Sequence, residues 1–66
     1  MVSYEPLFKT LDRLNITLFK MEKDIGLSSS ITAKFRKNEN VSLETIVKIC
    51  IYLDVPIEDV VEIVRK

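Results

Sequence analysis

The sequence predicts an all-α fold: one domain over residues 1–66, built of five short helices. Three observations carry that reading. Apolar residues return at three- and four-residue intervals through most of the chain. Threonine or serine stands just ahead of three of the apolar runs, where a side-chain oxygen can satisfy an orphan helix amide. The only glycine, Gly26, and the two prolines, Pro6 and Pro56, fall at the ends of runs rather than in their middles.

The first helix is expected over about residues 5–14. Pro6 suits a first helical turn, Leu7, Phe8, Leu11 and Leu14 recur at helical spacing, and Lys9, Asp12 and Arg13 take the wet side. Thr17 caps the second, over 17–25, in which Met21 and Ile25 face one way. Gly26 ends it in a left-handed conformation and Leu27 plugs the corner. Ser28 caps the third, over 28–36, so that two helices meet across a glycine joint as a helix-turn-helix.

"KNENV" reads as a loop. Ser42 caps the fourth helix, over 42–53, with Thr45 at the position where a capping-box glutamate usually stands. Leu43, Ile46, Val47, Ile49, Cys50 and Leu53 give it a broad apolar face. "DVP" closes it, because the residue before a proline is pushed out of the helical region. The fifth helix is expected over 56–63, with Ile57, Val61 and Val64 forming an apolar patch suited to a partner. The final "VVEIVRK" is β-branched and partly alternating, so it could instead extend and pair with "MVSY".

Hydrophobic residues make up 47% of the chain and aromatics only 8%, which implies an aliphatic core with Tyr4, Phe8, Phe19, Phe35 and Tyr52 as its larger pieces. The chain has no histidine, one cysteine (Cys50) and no ligand-spaced cluster, so neither a metal nor another cofactor is expected. The same absences argue against an enzyme and leave no small-molecule substrate in view. No basic segment leads into a long apolar run, and no apolar stretch approaches the ~20 residues a membrane span needs. A soluble, cytoplasmic protein without membrane contact is therefore expected. Net charge is zero, but its distribution is not: residues 25–41 sum to +2 and residues 42–66 to −2. A polarised field steers a charged partner.

The third helix combines short polar residues with cations. A helix entering the DNA major groove presents its N-terminal end to base edges. Ser29 and Ser30 are short enough for close approach and able to hydrogen-bond. Ala33 and Ile31 could cover a thymine methyl, and Lys34 reaches a guanine edge or a phosphate. Arg36, Lys37, Asn38 and Asn40 suit the sugar-phosphate backbone, and the helix amides at Ser28 and near Thr17 add positive charge for phosphate. Taken singly, each feature has an ordinary explanation: a serine cap, a solvated loop.

Their offsets carry a resemblance. Thr17, Met21, Gly26, Leu27 and Ser28, followed by "SLETIVKICIYLDV" over Ser42–Val55, resemble the Cro/CI-type, phage-repressor-like helix-turn-helix domains, and Tyr4–Leu7 matches a compact subgroup opening Tyr-x-Pro-Leu. The resemblance implies a five-helix domain, sequence-specific binding of double-stranded DNA and control of transcription, repression included, often as a homodimer on a palindrome. Its base-reading positions fall on Ser29, Ser30, Ala33 and Lys34, and its backbone-gripping loop on Lys37 and Asn38. Three positions depart from the pattern. Glu22 replaces a small alanine, and Asn38 replaces a loop glycine. Thr32 stands where the family buries an aliphatic, with Ile31 beside it, so that either of the two could face the core. The competing function is a protein-interaction module, antitoxin-like or adaptor, that keeps the fold without reading DNA.

Overall fold

The computed structural model of the protein describes residues 1–65. A short strand, β1 (Val2–Ser3), leads into four helices: α1 (Glu5–Leu14), α2 (Leu18–Ile25), α3 (Ser29–Lys37) and α4 (Leu43–Leu53). A 3₁₀ turn (Ile57–Asp59) and a second strand, β2 (Glu62–Ile63), follow. Each helix from α2 to α4 starts on the cap its sequence offers. Thr17 accepts from the Lys20 amide, Ser28 from Ile31 and Ser42 from Thr45. Every helix stops on a left-handed residue: Asn15, Gly26, Asn38 and Asp54. Short polar side chains tolerate that conformation better than most, which is why three of the four stops need no glycine.

The core is Tyr4, Leu7, Leu11, Met21, Phe35, Ile46, Ile49, Leu53 and Val60, drawn from every helix and from both chain ends. Phe35 is fully buried and meets the Tyr4 ring edge-on, with centroids 4.9 Å apart. The other expected aromatic pieces lie further out. Phe19 is 67% exposed and Phe8 only partly covered, while Tyr52 is half-buried. Among the described residues, every buried polar side-chain atom has a hydrogen-bond partner. Thr10, for example, donates to the Asp59 carbonyl at 2.7 Å and ties α1 to the 3₁₀ turn.

The expected fifth helix, 56–63, does not form. One 3₁₀ turn closes at Val60, whose φ of −120° leaves the helical region, and the chain then extends. Val2 pairs with Ile63 and Ser3 with Glu62 in an antiparallel ribbon, prolonged by the Val64 amide donating to the Met1 carbonyl at 2.9 Å. The β-branched run loses side-chain freedom in a helix, and the N-terminal segment offers it backbone partners instead. Val60 and Val61 turn toward the core, so the patch expected around Ile57, Val61 and Val64 is broken up.

Between α2 and α4, the Tyr52 hydroxyl donates to Asp24 at 2.5 Å, and Lys20 approaches the same carboxylate oxygen at 3.2 Å. The Tyr52 hydrogen bond, then that from Lys20, holds the Asp24 carboxyl below its ordinary range. A lowered carboxylate stabilises the fold above the unfolded value, and that contribution is lost as pH falls through the folded one. Tyr52→Phe is therefore expected to raise the Asp24 midpoint toward the ordinary range in an NMR titration and to shrink the acid-side loss of stability. An unmoved midpoint would show that the tyrosine bond does not set it.

Candidate functional site

The α2–turn–α3 unit is built by local rules. Gly26, at φ 70°, returns its amide to the Glu22 carbonyl, and Leu27 donates to the same oxygen at 2.9 Å. A Cβ added at Gly26 would meet nothing within 4 Å, so the left-handed backbone, and not crowding, favours glycine there. Leu27 packs against the core and locks the corner. Glu22, the departure in α2, is half-exposed and makes no ion pair among the described residues.

The rotation of α3 decides what the site can present. Thr32 and Phe35 are buried, and Ile31 is half-buried against the core. Thr32 satisfies its hydroxyl by donating to the Ser29 carbonyl at 3.0 Å, which is how a threonine occupies an apolar position. At about 100° per residue, the face opposite Ile31, Thr32 and Phe35 is centred on Ser30, Ala33 and Lys37, with Ser29 and Lys34 on its flanks. Ser29, Ser30, Lys34 and Lys37 are exposed, while Ala33 is half-covered and forms the low point of the stripe. Five of the residues singled out from sequence thus share one outward surface.

The remaining residues form its margins. Arg36 lies about a quarter turn away, where it lines a shallow hollow with Ser3, Glu5, Phe8 and Asn38. Thr17 and Ser28 are exposed, and their oxygens are already accepting the cap bonds of α2 and α3. The Ser28 and Ser30 hydroxyls lie 2.9 Å apart, so Ser30 has one hydrogen-bonding direction committed within the chain. Asn40 is exposed in the loop.

Asn38 has a second task that its position in a polar loop does not reveal. Its side-chain oxygen accepts from the Tyr4 amide at 3.0 Å, and the Tyr4 hydroxyl donates to the Glu39 carbonyl at 2.7 Å. The loop leaving α3 is thereby bolted to the start of α1. Tyr4 was legible as an apolar piece but not as this clamp, because its partners lie 34 and 35 residues away.

Charge follows the same geometry. Among the described residues, Lys34, Arg36 and Lys37 make no ion pair, whereas Lys9, Arg13 and Lys20 are paired with Glu5, Asp59 and Asp24. On α2, exposed Phe19 carries the Lys23 ammonium 5.6 Å from its ring centre, another cation with no carboxylate partner. The acidic side chains Glu58, Asp59 and Glu62 sit on the 3₁₀ turn and β2, and that turn packs chiefly on α1 and α4. The arrangement is an outward helix face of small polar side chains beside cations left free to meet anions.

A family model for the Cro/C1-type HTH DNA-binding domain matches residues 7–66. Among solved structures, the crystal structure of transcriptional regulator VanUg, Form II, superposes with a TM-score of 0.94 at 37% sequence identity, over 98% of this chain and 87% of that one. No curated protein sequence matches the chain.

Proposed function

The chain belongs to the Cro/C1-type helix-turn-helix DNA-binding domains, and from that premise we propose that it is a transcriptional regulator that recognises specific double-stranded DNA by laying α3 along the major groove. The observation that carries this reading is the rotation of α3. With Thr32 and Phe35 inward, Ser30, Ala33 and Lys37 lie on the outward face of α3. Ser29 and Ser30 reach base edges, Ala33 lies against a thymine methyl and Lys34 takes a guanine edge. Lys37, Arg36 and Asn40 grip phosphates on the rims, with the spare amide hydrogens of Asn38 and the helix starts at Thr17 and Ser28 beside them. Serines discriminate weakly, since a hydroxyl both donates and accepts. One α3 reads only a few base pairs, so high specificity requires two copies on half-sites about one helical turn apart. The protein acts by occupying DNA, without catalysis.

Binding to duplexes selected from a random pool, measured across a salt series, tests the proposal. Neutralised phosphates release counterions, so the logarithm of affinity should fall linearly with the logarithm of salt. Lys37→Ala is expected to weaken matched and mismatched duplexes alike and to reduce that slope by about one. A loss confined to one duplex would move Lys37 from backbone to base. A flat salt response on every selected duplex would favour the protein-interaction reading instead.

A further inference from the structure

The apolar residues of α4 divide into two faces. Ile46, Ile49 and Leu53 are buried in the core. Leu43, Val47 and Ile51 stand one turn apart on the outside, at 68, 48 and 75% exposure. Single exposed hydrophobes are ordinary, but three in register along one helix face form a stripe that water disfavours.

The surroundings of the stripe identify what covers it. Glu44 and Lys48 lie along one flank, both exposed. They are spaced four apart, glutamate first, the favoured order for an intrahelical pair, yet they make no ion pair within the chain among the described residues. At the other end of α4, a hollow is lined by Cys50, Ile51, Asp54, Val55 and Pro56. The projecting Leu43 and this hollow are therefore a knob and a hole at opposite ends of one helix.

We infer that this face of α4 is a self-association surface whose occupant is α4 of a second copy, packed antiparallel about a two-fold axis near Val47. A two-fold interface must be self-complementary, and this one is. The axis sets each Leu43 against Ile51 and the hollow of the other copy, and Val47 against Val47. It also brings flank to like flank. At 1.5 Å rise per residue, Lys48 then stands within about 3 Å along the axis of the other copy's Glu44, a gap a lysine stem spans easily. A parallel arrangement would bring each flank to the opposite flank of the other helix, so that Glu44 and Lys48 would not meet, and would leave the knob without its hole. The contact rests on one helix face, well below the ~800 Å² per partner of a standard stable interface, so a weak dimer is expected in free solution. The inference deepens the two-copy part of the proposed function, but its test contains no DNA.

Sedimentation equilibrium of the full chain is expected to show a concentration-dependent monomer–dimer equilibrium. Ile51→Lys should raise the dimer dissociation constant at least about tenfold. Lys48→Glu should do the same by placing carboxylates opposite one another, and the double variant Glu44→Lys/Lys48→Glu should restore association. All three substitutions are at exposed positions, and circular dichroism of each variant checks that it is folded. A wild-type chain that stays monomeric up to about 1 mM, or a double variant no better than Lys48→Glu, overturns the antiparallel α4 pairing. Failure of DNA binding would leave this result unchanged, so the two readings fail separately.

Discussion

Phe35→Ala is expected to leave the protein largely unfolded at physiological temperature. Phe35 is wholly buried and sits at the last core turn of α3, edge-on to Tyr4. Truncating a buried phenylalanine costs about 3–5 kcal/mol in lost transfer energy and residual cavity. A 66-residue chain has a total stability of only about 3–10 kcal/mol at the usual per-residue value. At about 4–8 °C per kcal/mol, the thermal midpoint should fall by roughly 12–40 °C. The effect should also spread. Without the ring, Tyr4 loses its packing partner, and Tyr4 is what fastens the Asn38–Glu39 loop to α1. Phe35→Leu removes fewer buried atoms and leaves a smaller cavity, so it should cost less than Phe35→Ala. Thermal denaturation followed by circular dichroism distinguishes the two variants. A midpoint within about 5 °C of the parent for Phe35→Ala would mean that the core does not depend on this ring.

Ala33→Glu is expected to abolish specific DNA binding while the fold survives. Ala33 lies in the middle of the outward stripe of α3, half-covered by its neighbours, with Ser30 and Lys37 one turn to either side. Glutamate is a good helix former and its carboxylate can extend into water, so stability should change by no more than about 0.5 kcal/mol. In a complex the same carboxylate would enter the anionic major groove and prevent the close approach that an alanine permits. Affinity for a selected duplex should fall at least about 100-fold, or about 2.7 kcal/mol. Fluorescence anisotropy against salt, beside a melting curve, reads both quantities. A folded Ala33→Glu variant that binds as tightly as its parent would remove α3 from the groove.

The candidate site was legible in part. Ser29, Ser30, Lys34 and Lys37 are named by residue type and spacing after a glycine turn, and all four are exposed. Asn38 was legible as a polar loop residue standing where the family has a glycine, but not as a clamp. Its bond to the Tyr4 amide joins positions 34 apart, and no local pattern records that. Phe19 shows the opposite limit. An aromatic in an amphipathic run reads as core, yet it lies outside beside Lys23, because Met21 and its neighbours already fill the space beneath α2.

The sequence by itself determined the four α-helices, the side-chain caps of α2, α3 and α4, and the left-handed stops, since each rests on hydrogen bonds and side-chain spacing within four or five residues along the chain. Tertiary structure alone decided three matters. It buried Thr32 and left Ile31 half-covered, which sets the outward face of α3. It chose which of the two apolar faces of α4 enters the core. It drew the tail into a ribbon with the N-terminal strand instead of a fifth helix. Each was a choice between locally equivalent options, and each was resolved by a partner distant in sequence: a core with room for one face only, and a strand with unpaired backbone groups.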